Sequence, residues 1–145
     1  MQGEKMQYIE RELAPDTKIP IRIGFIKPNG APSIISLWYI DIDGKIYCAT
    51  QKTAKILQYL ENQPICGFEI AADKPPYKGS RGEGKVKLIP SKGSEILKIL
   101  IKKYLGDKES TLSKFLLSHC KNEIAIEITP TKIFHYDYSK RMKGI

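Results

Sequence analysis

From Lys18 onward the chain reads with a two-residue period. Ile19, Ile21, Ile23 and Phe25 alternate with Pro20, Arg22 and Gly24, which sets the four apolar side chains on one face of a half-buried strand. Pro28-Asn29-Gly30 then turns the chain, with Asn-Gly expected at positive φ in both central positions of a tight hairpin. A second strand is predicted over Pro32 to Ile42, a second hairpin at Asp43-Gly44, and a third strand over Lys45 to Thr50. The period lengthens after that. Ile56, Leu57 and Leu60 share one face of a helix predicted from Thr53 to Asn62, with Thr53 placed to cap it and Pro64 to close it. Strands follow over Ile65 to Ala72 and Arg81 to Ile89, separated by a Pro- and Gly-rich loop from Asp73 to Ser80. Ile96, Leu97, Leu100, Ile101 and Leu105 mark a helix from Ser94 to Leu105, ended by Gly106, and Ser110 to His119 reads as a shorter one. Two last strands, Glu123 to Thr129 and Lys132 to Tyr138, are predicted on either side of Pro130. Ahead of the first strand, residues 1–17 read as a helical arm, with a short helix from Gln7 to Leu13 stopped at Ala14-Pro15.

Hairpins outnumber strand-helix alternations in this order, which excludes a doubly wound parallel sheet. It predicts a mainly β fold (β plus α), a small antiparallel β-barrel with helices packed outside. The 145 residues allow a single domain over 1–145, large enough for a core but too small for a deep private pocket. Of the charges, eight basic and eight acidic residues fall in 1–72, against sixteen and eight in 73–145, so the whole net charge of +8 sits in the second half. That suits either a solvated lysine-rich surface or an anionic partner. Cys48, Cys66 and Cys120 form neither a disulfide framework nor a zinc spacing, and Cys48 and Cys66 fall in apolar runs, so buried reduced thiols are expected. No apolar run reaches the ~20 residues of a spanning helix. The acidic start MQGEKMQYIEREL does not read as a secretory signal, so the expectation is a cytoplasmic protein with no membrane partner.

Gly79-Ser-Arg-Gly-Glu-Gly84-Lys85 has the spacing of a nucleotide-binding phosphate loop. Yet Val86 stands where a magnesium-ligating hydroxyl is needed, and a strand follows in place of a helix. The glycines read instead as points where strands approach closely at a barrel corner. His119 and His135 lack metal-ligand spacing and no G-x-S-x-G elbow is present, so hydrolytic chemistry is not indicated.

The stretch from Gly30 to Pro64 carries, in order, Gly30-Ala-Pro32, a strand ending near Trp38, Asp43-Gly44, a strand, and Thr53-Ala-Lys55 opening a helix that closes at Asn62-Gln-Pro64. This order resembles the FMN-binding split barrels related to pyridoxamine 5'-phosphate oxidase. The resemblance continues through Pro75-Pro76-Tyr77 to Gly84 and ends in Tyr136-Asp-Tyr-Ser-Lys-Arg-Met142, similar to the W-D-Y-S-K-R ending of many members. Thr53 and Lys55 bring a hydroxyl, a cation and free backbone N–H groups to one strand-to-helix junction, a combination suited to a phosphate dianion. The resemblance implies that this junction holds the FMN phosphate, that Thr50 and Gln51 touch the cofactor, and that Ser36, Leu37 and Trp38 lie along the flavin ring. It also implies a homodimer with the flavin at its interface, hydride transfer between the flavin and a small-molecule substrate, and a substrate side lined by Pro75 to Arg81. Two departures stand out. Ala54 replaces a second basic residue, leaving Arg22 and Arg81 as substitutes for holding the phosphate, and Tyr138 to Ile145 lacks the basic residues that would hold a vitamin B6 phosphate. Deazaflavin or haem in place of FMN, and a flavin protein without turnover, stay open. So does single-stranded nucleic acid, stacked on Tyr77, Phe134, Tyr136 and Tyr138 among the lysines.

Overall fold

A computed structural model describes residues 18–143; the arm over 1–17 expected from sequence lies outside them. Seven strands form one sheet: β1 (Ile21–Ile26), β2 (Pro32–Leu37), β3 (Ile40–Ile42), β4 (Lys45–Gln51), β5 (Ile65–Ala71), β6 (Lys78–Ile89) and β7 (Glu123–Asp137). Helix α1 (Lys55–Asn62) sits between β4 and β5, while α2 (Gly93–Leu105) and α3 (Thr111–Ser118) fill the β6–β7 connection. The spatial order is β2-β1-β5-β6-β7-β4-β3, with every neighbouring pair antiparallel.

That order explains the barrel. Its two edges, β2 and β3, are consecutive in the chain and joined only by Trp38 and Tyr39. Three Cα–Cα steps reach about 11 Å, so the sheet must curl until its edges nearly meet, although no ladder joins them. The fold is the antiparallel split β-barrel with helices packed outside, the barrel as the order of elements predicts and its split form as the resemblance to the FMN-binding split barrels implies.

The single strand expected over Pro32 to Ile42 is therefore two strands. A strand interrupted in this way leaves backbone groups outside any ladder, and such groups must find partners elsewhere. At the bend α2 supplies them. The Tyr39 N–H donates to the Tyr104 hydroxyl (3.3 Å), the Lys103 ammonium donates to the Tyr39 carbonyl (2.7 Å), and the Tyr104 hydroxyl donates to the Ile19 carbonyl (2.9 Å). Lys103 also lies 3.7 Å from the centre of the Tyr39 ring, and Trp38 stacks on Tyr104 at 5.0 Å.

The reverse correction applies to β7. Two strands were expected about Pro130, whereas one continuous strand runs from Glu123 to Asp137. Proline cannot donate to a ladder and is tolerated at bulges. Here Glu83 pairs with Lys132 and Gly84 with Pro130, so Thr131 is the extra residue, and its hydroxyl donates to the Glu83 carbonyl. Gly82 and Gly84 of the false phosphate loop lie along β6, as read from sequence, and Gly79, read in the preceding loop, lies on it too. A Cβ at Gly82 would overlap the Lys132 carbonyl and the Phe68 ring, and one at Gly84 would overlap Ile128.

Turns differ in detail. Asp43 and Gly44 both take positive φ (52° and 81°), as a tight hairpin requires. At the first turn only Gly30 does (85°). Its N–H donates to the Lys27 carbonyl, and Pro28 presets the preceding turn position. In α1 the N-cap is Ala54 and no side chain caps the helix, so Thr53 is not the cap expected. In α3 Ser110 and Ser113 form a reciprocal capping box. Strand β6 begins at Lys78, three residues earlier than the alternation suggests.

The core has two parts, split by the period-two alternation of β4. Ile46 and Cys48 point into the barrel with Ile21, Ile23, Phe68, Ile70 and Ile126, and α1 adds Ile56, Leu57 and Leu60 to this interior. Tyr47 and Ala49 point outward and are covered by Ile96, Leu100 and Tyr104 of α2. Cys48 and Cys66 are buried free thiols. Burial pushes both thiols up, Cys66 to about 12, so neither is a nucleophile.

Candidate functional site

The ends of β2 and β4 and the start of β7 meet α2 and α3 around a cleft of about 510 Å³. Five of the seven residues singled out from sequence line it: Ser36, Leu37 and Trp38 from β2 and the bend, and Thr50 and Gln51 from the end of β4. They converge because the bend at Trp38-Tyr39 folds β2 back toward the β4–β7 pair, an arrangement held by Lys103 and Tyr104. Thr53 and Lys55 do not line this cleft. They lie one turn further along the chain, exposed at the mouth of α1.

At that junction the Lys52 N–H donates to the Asn122 carbonyl and the Ala54 N–H to the Gln51 carbonyl, which fixes the turn. The first turn of α1 holds no acidic residue and receives no capping side chain. The exposed Thr53 hydroxyl and the Lys52 and Lys55 ammonium groups gather there, while the Leu57 N–H already donates to the Ala54 carbonyl. A phosphate dianion fits this donor set, and the planar ring of a flavin fits the apolar cleft next to it.

Sequence reading missed the far wall. Leu97 and Leu100 of α2, and Leu112, Phe115 and Leu116 of α3, face the cleft, with His119 at its rim. Phe115 is 61% exposed and Leu112 47%, so α3 presents apolar surface that no part of the described chain covers. A short helix over Ser110 to His119 was legible. That its apolar side faces a cleft was not.

Glu123 was missed as well. It opens β7 directly opposite Gln51, is 6% exposed, and accepts a hydrogen bond from the Gln51 side-chain amide. Burial pushes its carboxyl up, and the Gln51 bond opposes that shift. The two residues are 72 positions apart, and a glutamate at a strand start gives no one-dimensional sign of such a partner.

A second cleft, of about 420 Å³, gathers Arg22, Arg81, Tyr77, Tyr136 and Tyr138. Arg22, Glu69, Arg81 and Phe134 form one cross-strand row. Arg81 lies over the Phe134 and Tyr136 rings at 5.1 and 5.2 Å, and the Tyr136 hydroxyl donates to Glu69 (2.8 Å). Arg22 and Arg81 thus belong to this cleft, with the end of the Pro75 to Arg81 segment, and do not line the first. The clefts adjoin, since Ser36 pairs with Arg22. His135 bonds Ser80 (2.6 Å) at a buried position and lines neither cleft.

No protein-family model matches the chain, and neither does any curated protein. Solved structures do. A conserved hypothetical protein from Mycobacterium tuberculosis superposes with a TM-score of 0.74 at 17% identity, covering 97% of this chain and 88% of that one. An F420 reductase gives 0.69 at 13% identity, over 82% and 91%. A pyridoxamine 5'-phosphate oxidase-related, FMN-binding protein from Nostoc punctiforme gives 0.63 at 13% identity, over 93% and 81%. Others that share the fold are named as an FAD-binding protein and a haem storage protein. At these identities the likeness establishes the fold, a split barrel of the pyridoxamine 5'-phosphate oxidase type. No helix among the described residues is long and apolar enough to cross a membrane.

Proposed function

For a chain with the split-barrel fold of the pyridoxamine 5'-phosphate oxidase-like proteins, we propose that it is an FMN-binding oxidoreductase acting on a small substrate. One observation carries this reading. The residues picked out by sequence resemblance, Ser36, Leu37, Trp38, Thr50 and Gln51, line one apolar cleft, and the acid-free, uncapped start of α1 follows Gln51 by four residues. When bound, the flavin supplies hydride exchange with the substrate. The chain's part is to hold and orient it and to exclude water.

Lys55 and Lys52 bind the phosphate with charge, and Thr53 with its hydroxyl. Trp38, kept in place by its stack on Tyr104, and the leucines of α2 form the walls for a planar ring. Helix α3 covers the open side and keeps water from the reacting face. The adjoining cleft of Arg22, Arg81 and Tyr136 gives the substrate a cationic, aromatic seat. Two copies pair with the flavin at their interface, and the exposed Leu112 and Phe115 beside the cleft give that pairing an apolar contact surface.

Visible spectra during titration with FMN, a deazaflavin and haem test the cofactor, with Lys55→Ala as the variant. The expected result is micromolar FMN binding weakened about 10- to 100-fold by the substitution, the size of a charge-assisted phosphate contact. FMN affinity that ignores Lys55 sinks the phosphate site, and preference for the deazaflavin or haem reassigns the cofactor. A second reading has its own observation. Tyr77, Tyr136, Tyr138 and Phe134 gather about Arg81 as a basic, aromatic surface suited to single-stranded nucleic acid. Tight, steeply salt-dependent oligonucleotide binding without flavin binding would favour it.

A further inference from the structure

Gln51 closes β4 and Glu123 opens β7, and the register sets them face to face. Counting by twos from Tyr47 and Ala49, both side chains stand on the outer face of the barrel, where α2 packs. Gly93, at the start of α2, lies so close to Glu123 that a Cβ there would collide with the Glu123 carbonyl, so the helix seats directly on this residue and fixes it. The result is a carboxylate that is 6% exposed yet lines an apolar cleft, with Gln51 donating to its Oε2.

The hydrogen-bonding capacity of the pair is only partly used. A primary amide has two N–H donors, and a carboxylate accepts at both oxygens. One Gln51 N–H is engaged. Among the described residues no other hydrogen bond or ion pair reaches the Gln51 side chain or the second oxygen of Glu123. Burying an acceptor of this strength among leucines is costly unless a donor meets it. The second oxygen is not sealed from solvent but opens onto the cleft, so a ligand that fills the cleft displaces its water and must supply a donor in its place. That donor must also be borne on something flat and apolar, given the walls of Trp38, Leu97, Leu100 and Phe115.

A carboxylate acceptor beside an amide donor is complementary to an N–H beside a C=O. We propose that Gln51 and Glu123 read the lactam or imide edge of a planar heterocycle, Glu123 accepting from the ring N–H and Gln51 donating to the adjacent carbonyl. This rests on reading the cleft as the flavin site and deepens it, because the isoalloxazine ring carries an imide edge of this kind at N3. Gln51 and Glu123 then set which ring is accepted. Planar molecules of similar area without a donor between carbonyls leave Glu123 unsatisfied and are rejected.

The test compares lumiflavin with 3-methyllumiflavin, which differ only at the imide N–H and lack the ribityl phosphate. Binding to the full chain is followed by quenching of flavin fluorescence. The wild type is expected to bind lumiflavin at least tenfold more tightly than the methylated ring, the scale of a hydrogen bond to a charged acceptor. Glu123→Ala and Gln51→Leu are expected to erase that preference. If either variant fails to fold, the wild-type comparison still decides. Equal wild-type affinities, no binding of lumiflavin, or a preference that survives Glu123→Ala overturns the edge-reading role. FMN run alongside separates the two readings. FMN binding with indifference to N3 methylation leaves the flavin assignment standing and removes this one, and discrimination between the lumiflavins without FMN binding does the opposite.

Discussion

Tyr104 is the point at which α2 holds the break between β2 and β3, and Tyr104→Phe isolates that role by removing one oxygen. The hydroxyl accepts from the buried Tyr39 N–H at 3.3 Å and donates to the Ile19 carbonyl at 2.9 Å. Each neutral hydrogen bond contributes about 1 kcal/mol, and a buried N–H deprived of its acceptor costs about 1–3 kcal/mol. Tyr39 is 3% exposed, so water does not replace the lost acceptor. The expected destabilisation is about 2–4 kcal/mol in total. Equilibrium urea unfolding should show a lower midpoint at unchanged slope. In a scan, at about 3 °C per kcal/mol for a chain of this length, the transition should fall by about 6–12 °C. Trp38 is the single tryptophan and stacks on the Tyr104 ring. Its native emission should therefore hardly move in Tyr104→Phe, where the ring stays, and should shift to the red in Tyr104→Ala. A loss below about 0.5 kcal/mol in Tyr104→Phe, the size of an ordinary surface change, would refute the view that these bonds hold the bend.

Other expectations follow from single positions. Gly82→Ala should cost about 2–3 kcal/mol in urea unfolding, because its Cβ meets the Lys132 carbonyl and the Phe68 ring; Gly24→Ala, whose nearest neighbour would be 3.9 Å away, should cost about 1 kcal/mol or less. Thr53→Ala should leave stability within about 0.5 kcal/mol, since Thr53 does not cap α1, whereas a capping threonine would cost about 1 kcal/mol. Tyr47 is pushed up to about 12, first by burial and then by its hydrogen bond to Glu127 (2.9 Å). The folded chain thus keeps this proton more tightly than the unfolded one. The stability it gives is complete below pH about 10 and is lost between about 10 and 12. Tyr47→Phe should flatten the fall of stability over that window in pH-dependent urea titrations, and an unchanged profile would count against the assigned cause.

The sequence by itself determined the local elements, because each rests on short-range chemistry. Alternation at Ile19 to Phe25 and in β4, the helical spacing of Ile96 to Leu105, Asp43-Gly44 at positive φ and the strand over Arg81 to Ile89 all survive in the structure. The order of those elements was enough for an antiparallel barrel. Resemblance placed five residues that do share a cleft. What failed were the strand bounds and the site partner that are decided by residues distant in the chain. Pro32 to Ile42 reads as one strand because its composition is uniform, and the break is decided by Lys103 and Tyr104, more than sixty residues away. Pro130 reads as a strand end, but the bulge opposite Glu83 and Gly84 absorbs it. The same reason hides Glu123. Its partner, its burial and the helix seated on it are products of the β4–β7 pairing. A residue's own type fixes which bonds it can make, and only the curled barrel decides which of its polar groups open onto a cleft.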